Sequence, residues 1–249
     1  MKKIILIFAA GYLLFTPAVF AQTVRVAAAA NLQAVIQALQ KDFKARSDIE
    51  IEPVIGSSGK LVAQIKNGAP FDVFLSADMA FPQDLYKNGF ALQQPQIYAY
   101  GSLIICSNKD IGFENWPRTL LTDRVKKIAI ANPSIAPYGK AAQGALASKG
   151  ILDDVKNKIV YGESISQVNT YITTGNVEVG FTTLALIMDP ANKTKLYWKA
   201  INPKIYEPIA QGAVIIKATV NKAAALKFYG YLFGADAKKI FAQFGYHVK

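Results

Sequence analysis

The sequence predicts an α/β protein of two lobes, each a mainly parallel sheet flanked by helices, with the chain crossing between the lobes twice. Three observations predict it. From residue 23 onward, short β-prone apolar runs alternate with stretches of helical period, the pattern of a parallel sheet covered by helices. A second series of the same rhythm, without visible sequence repetition, begins near residue 102. A lone apolar run over 210–217 then returns before two closing helices. With 249 residues and 52% hydrophobic content, the chain holds enough apolar side chain for one large core or two modest ones.

Taken in order, Lys2 and Lys3 precede an apolar run over 4–15 and small residues ending at Ala21. That is the layout of a cleaved secretory signal over 1–21, too short for a membrane span. Residues 23–29 form a strand. Asn31 is the expected N-cap of a helix in which Leu32, Val35, Ile36, Leu39 and Phe43 recur at helical spacing. Residues 48–55 are the next strand. Residues 56–78, GSSGKLVAQIKNGAPFDVFLSAD, read as loop, short helix, turn and buried strand, with Gly68 and Pro70 ending the helix. A helix over 81–88, closed by Gly89, completes the first series. The second series has strands at 102–106, 127–131, 159–161 and 177–182. Trp116-Pro117 opens a segment ending near Arg124, and helices open at Pro137-Tyr138-Gly139 and Glu163-Ser164. Helices over 223–233 and 235–244 end the chain. Crossings at 98–101 and 207–212 divide it into one lobe of 22–99 plus 211–249 and another of 100–210.

Ligands of open α/β sheets sit beyond the carboxyl ends of strands. Four loops there lead into helices, centred on Asn31, Ser58, Tyr138 and Ile165. A helix N-terminus offers unpaired N–H groups and the positive end of a dipole, and Ser57 and Ser58 add hydroxyls, a set that suits an anion. The plain alternative is an ordinary serine cap. The formal charge is +11, of which Lys2 and Lys3 in the signal supply two. A basic balance suits small anions, but the cations are scattered and export argues against nucleic acid. Cys106 is the only cysteine and reads as a buried bystander in an apolar strand. His247 is the only histidine, so neither a metal-cation site nor a histidine-based triad is expected. Asp72 and Asp78 bracket a strand and read as turn or cap residues. Tyr98 and Tyr100 read as core aromatics near the hinge.

Two enzyme-like patterns need weighing. Ser57-Ser58-Gly59-Lys60 fits the S-x-x-K of penicillin-recognising serine hydrolases, but their S-D-N and K-T-G elements are absent. Residues 56–60 also fall short of phosphate-loop spacing, and Leu61 follows the lysine.

The pattern AAAANL, then GSSGKLVAQIKNGAPFDVFLSAD, ANPSIAPYGKAAQGAL and GESISQ with TGNVEVGF, running in order from Val24 to AKKIFAQFGY, resembles the periplasmic molybdate-binding proteins of ABC transporters, the ModA type. The likeness implies a type II-like periplasmic-binding-protein fold that closes by a hinge around an enclosed oxyanion, with no catalysis and no cofactor. Carried over by position, the family's ligand-binding serines fall on Asn31, a departure from serine, and on Ser58 with Ser57 beside it. At Asn31 the donor is either the backbone N–H or the side-chain amide, and Ala30 adjoins it. The family's backbone donors fall on Tyr138 and Ile165. A tyrosine hydroxyl used by some members would fall near Thr183, where no phenol stands, with the Tyr138 side chain as its substitute. Lys60 and Lys140 are expected to face solvent, leaving neutral donors for the ligand. The resemblance implies molybdate or tungstate as ligand, a membrane permease as partner, a periplasmic location, a monomer and no nucleic acid. Sulfate, phosphate or another small anion stays open, because cavity radius is not written in the sequence.

Overall fold

The computed structural model describes residues 22–249, so the expected signal over 1–21 lies outside the described residues. Two five-stranded sheets organise the chain. The first takes β1 (Thr23–Ala29), β2 (Glu50–Gly56), β3 (Val73–Leu75) and β4 (Gln96–Gly101). The second takes β5 (Leu103–Ser107), β6 (Ile128–Ala131), β7 (Ile159–Gly162), β8 (Val179–Thr183) and β9 (Tyr197–Ala200), and β10 (Ile209–Ile215) returns to the first. Their orders, β2-β1-β3-β10-β4 and β7-β6-β8-β5-β9, follow one plan. In each sheet one strand opposes the other four: β10 runs against β3 and β4, and β5 against β8 and β9. Those two strands are the ones that arrive from the other sheet. Each therefore runs away from the junction, while the strands whose loops open onto the cleft run toward it.

The helices are α1 (Gln33–Ser47), α2 (Ser58–Lys66), α3 (Ala80–Lys87), α4 (Trp116–Leu121), α5 (Pro137–Ser148), α6 (Leu152–Val155), α7 (Ile165–Thr173), α8 (Ala185–Met188), α9 (Lys222–Leu232) and α10 (Ala235–Gln243). Helical spacing of apolar residues explains their seating. Helix α1 buries Val35, Ile36, Leu39 and Phe43, and α2 buries Leu61, Val62 and Ile65. Both faces of the first sheet are covered: Val73 and Leu75 join a cluster with α1, α9 and α10, while Phe74 between them joins α2 on the other face. This is why the strand reads as a continuous apolar run rather than an alternating one. The second sheet has its own core around Leu103, Ile104, Ile128, Ile130 and Phe181.

Three expectations change. Asn31 does not cap α1, because a 3-10 turn (Ala30–Leu32) precedes the helix and the side chain bonds elsewhere. Asp48 is not in a strand. It ends α1 in the left-handed conformation at φ 56°, and β2 starts only at Glu50. Strand β9 was not expected: four residues on the sheet edge, alternately half-buried and exposed, are too short for a clear period.

Phe74 is fully buried in β3. Phe74→Ala should lower the unfolding free energy by about 3–5 kcal/mol in chemical denaturation. Val220→Ala, at a side chain 92% exposed, should change it by less than about 0.5 kcal/mol.

Candidate functional site

The parallel pairing of neighbouring strands fixes the site. β1 and β2 end level with each other, Ala29 opposite Gly56, and β6 and β7 end with Ala131 opposite Gly162. Two adjacent loops from each sheet therefore open at one height. They meet around a cavity of about 10 Å³ whose lining includes Ala30, Asn31, Ser57, Ser58, Tyr138 and Ile165. None of these six is more than 5% exposed. The structure thus brings together the four loop centres expected from sequence, with Ala30 and Ser57. Thr183 lies outside this cavity and lines an adjoining cleft of about 180 Å³ that also touches Asn31. On the other side a cleft of about 190 Å³ shares Ala77 and Pro137 with it. A cavity of about 700 Å³ at the amino ends of β1 and β3 contains none of these residues.

Ser58 is the first residue of α2, Ile165 the first of α7, and Tyr138 follows Pro137 at the start of α5. At these positions an N–H group has no partner within its own helix. Among the described residues, no loop carbonyl or side chain accepts from them or from the N–H of Asn31. Buried N–H groups are seldom left so. Ser58 Oγ accepts from the N–H of Ala77 at 3.1 Å, which leaves its own proton to donate. The neighbouring Ser57 Oγ is buried without a partner, although Ser57 stands at the N-cap of α2. The plain reading of these serines as an ordinary cap is therefore incorrect. Ser164, by contrast, does cap α7 through the N–H of Gln167.

Asn31 was expected to offer either its backbone N–H or its side-chain amide. Its Nδ2 donates to Gln211 Oε1 at 2.9 Å and to the Tyr246 hydroxyl at 3.2 Å, while its Oδ1 is buried without a partner. In this orientation the amide nitrogen is engaged, and the donor left without an acceptor is the backbone N–H. Tyr246 in turn donates to the Asn31 carbonyl at 2.6 Å. The Tyr138 hydroxyl does not replace the missing phenol. It accepts from Thr183 Oγ1 at 3.2 Å and from Gln211 Nε2 at 3.5 Å, against the junction of the sheets. Burial pushes the hydroxyls of Tyr98, Tyr138 and Tyr246 well above the usual phenol range, so they stay protonated. Sequence reasoning missed Gln211 and Tyr246, and read Tyr98 only as a core aromatic near the hinge. The signal for Gln211 was there: a single amide inside the apolar run IAQGAVII.

Lys60 and Lys140 are exposed, as expected, but each has a partner. Lys60 Nζ pairs with Glu163 at 2.7 Å and Lys140 Nζ with Glu207 at 2.8 Å. The first pair spans the cleft from α2 to the residue before the α7 cap. Beside it the Gly59 N–H donates to the Ile135 carbonyl at 2.9 Å. A Cβ at Gly59 would stand 3.0 Å from Ile135 Cα, so this approach of the two loops requires glycine. Ser166 Oγ donates to Gln33 across the cleft as well. The S-x-x-K pair is chemically uncoupled, since Ser57 Oγ has no partner and Lys60 is held by Glu163. Asp72 and Asp78 hold turns: Asp72 accepts from the Arg25 N–H and from Thr219, and Asp78 from the Phe81 N–H at 3.2 Å. Cys106 is fully buried, which pushes its thiol up to about 12 and keeps it unreactive.

Comparison with known proteins places this geometry. A family model described as bacterial extracellular solute-binding protein matches residues 24–247. The chain is 35% identical over 242 residues to the molybdate-binding protein ModA of Azotobacter vinelandii, covering 97% of this chain and 96% of that one. It is 32% identical to the ModA protein of Rhodobacter capsulatus, covering 88% and 86%. The solved structure of the periplasmic molybdate-binding protein of Azotobacter vinelandii superposes with a TM-score of 0.86, over 91% of this chain and 99% of that one. The sulfate-binding protein SubI of Mycobacterium tuberculosis, only 16% identical, shares the fold at a TM-score of 0.76, over 90% of this chain and 86% of that one. With two sheets on one plan, a cleft between them and relatives matched along nearly their whole length, the chain belongs to the bacterial extracellular solute-binding proteins, among the ModA-type members.

Proposed function

We propose that this protein binds molybdate, and tungstate with it, in the periplasm and delivers the anion to an ABC-type permease. The observation that carries the reading is the set of four buried loop N–H groups without acceptors, two from each sheet, around one small cavity. The names of the ModA relatives supply the anion. A dianion stripped of water needs many donors, and neutral N–H and O–H groups supply them without proton transfer. Lys60 and Lys140 are occupied by Glu163 and Glu207, so neither of these lysines is free for that role. The protein acts as a monomeric carrier rather than an enzyme, without nucleic acid. A signal over 1–21 takes it across the membrane.

The lobes that move are 22–99 with 211–249, and 100–210. Strands β4 and β10, paired antiparallel from Gly101 opposite Ile209, form the hinge between them. Asn31 and Ser58 belong to one lobe, Tyr138 and Ile165 to the other. Donors from both lobes reach one ligand only when the cleft is shut, and that differential contact is what shifts an open–closed equilibrium. Closure then gives the permease a shape that depends on the ligand.

Calorimetric titration at neutral pH tests the reading: molybdate and tungstate should bind tightly and phosphate poorly, because a protonated phosphate oxygen needs an acceptor that a donor site withholds. Phosphate binding as tight as molybdate would refute it. Ser58→Ala should weaken molybdate binding by about 1.5–3 kcal/mol, the range for hydrogen bonds to charged groups. Lys60→Ala should cost clearly less, and the reverse ranking would mean that a cation holds the ligand. Small-angle scattering should show a smaller radius of gyration with saturating molybdate, and the melting temperature should rise with ligand concentration. Unchanged scattering, in a protein shown to be open when free of ligand, would exclude closure.

A further inference from the structure

Gln211 stands where both lobes can be sensed. It lies on β10, the strand returning from the second sheet, at a register shift between Gln211 and Gly212, and it is completely buried. Its Oε1 accepts from Asn31 Nδ2 at 2.9 Å and lies 2.8 Å from the Tyr98 hydroxyl. Its Nε2 reaches the Tyr138 hydroxyl at 3.5 Å. One side chain thus touches a site residue from each lobe without lining the cavity itself. Room for this contact is made by Gly101 in the hinge, where a Cβ would come within 2.0 Å of the Tyr138 hydroxyl and 2.7 Å of Gln211 Nε2.

The arrangement leaves two hydrogen-bonding groups idle. Asn31 Oδ1 is buried without a partner, and the Tyr138 hydroxyl accepts twice without a recorded acceptor for its own proton. A half-turn of both amides, which exchanges the oxygen and nitrogen of each, repairs this and gives up the bond from Asn31 Nδ2 to Tyr246. Gln211 Nε2 then donates to Asn31 Oδ1, Gln211 Oε1 accepts from the Tyr138 hydroxyl, and Tyr98 keeps the Ser76 carbonyl at 3.0 Å. Tyr246 keeps the Asn31 carbonyl. What changes is that Asn31 Nδ2 is released as one more donor, the group an oxyanion lacks at this loop because no serine stands there.

We infer that Gln211 is a positioning residue for the oxyanion: it sets the orientation of the Asn31 amide and ties that orientation to Tyr138 on the opposite lobe. This role rests on the oxyanion reading above. An amide pair can do this because each end carries both donor and acceptor, so turning one amide obliges its partner to turn. A purely structural network would give the same contacts but would not couple to the ligand.

The test is a double-mutant cycle read in molybdate dissociation constants, with melting curves to show that each variant is folded. Gln211→Leu and Asn31→Ala should each weaken binding by about tenfold, as expected for losing a donor to a charged group. The double variant should be no worse than the poorer single one. Ser58→Ala, whose hydroxyl is held by Ala77 instead, should multiply independently with Gln211→Leu. A Gln211→Leu protein that binds within about twofold of wild type, or whose loss multiplies fully with that of Asn31→Ala, overturns the role. Should that variant fail to fold, the wild type decides: the side-chain amide resonances of Asn31 and Gln211 should both move on saturation with molybdate, and stationary resonances overturn the role. Failure of the wild type to bind either molybdate or tungstate would bring down the oxyanion reading itself, and this role with it.

Discussion

A buried backbone N–H must find an acceptor, and this molecule gathers four that have none among the described residues. The N–H groups of Asn31, Ser58, Tyr138 and Ile165 all stand where a strand has ended and a helix or 3-10 turn begins. Helical geometry leaves such groups unpaired, and packing removes them from water. Both halves of the fold serve to bring these groups to one point. Each sheet sets two parallel strands side by side, so that two loops finish level and two helices start together. Unpaired buried donors are costly, and in the proposed function an anion that supplied their acceptors would relieve that cost.

The same constraint accounts for the reversed strands and the hinge. Loops at the cleft need strands running toward it, whereas a chain arriving from the other lobe must run away. β5 and β10 are therefore antiparallel to their neighbours in otherwise aligned sheets. Across the cleft the lobes touch through a backbone bond at Gly59, an exposed ion pair at Lys60 and a side-chain bond at Ser166, and deeper down through the Gln211–Tyr138 contact and through Ala29, Ala30 and Ala77 packed into the second sheet's core. An exposed ion pair is typically worth no more than about 1 kcal/mol. The network around Gln211 is fully buried, so its polar groups have no water to turn to. It is the stiffer element and the one able to specify geometry.

Electrostatics supports the same division of labour. The protein carries many more basic than acidic residues, yet the two lysines nearest the cleft are neutralised by Glu163 and Glu207. Long-range charge can draw an anion toward a protein, and the proposed function leaves short-range selection to neutral groups. The buried tyrosines fit this, since desolvation holds their protons in place.

Much of this was legible in one dimension. The alternation of apolar runs and helical periods depends on local sterics and on which face is buried, and both leave a mark on the order of residues. That is why β1 and the closing helices fell close to their expected bounds, and why the loops centred on Asn31, Ser58, Tyr138 and Ile165 could be named. Strand β9 left no such mark, because four edge residues with one face in solvent carry little pattern. Nor could sequence say that Ser57 is not an ordinary cap, that the Asn31 amide turns to Gln211, or that Thr183 stands outside the small cavity. Those facts depend on residues far apart in the chain: Asn31 and Gln211 lie 180 positions apart, Asn31 and Tyr246 lie 215 apart. Periodicity determined which groups would be donors at the ends of strands. Only the folding of two sheets against each other decided which side-chain partners those groups kept and which were left for a ligand.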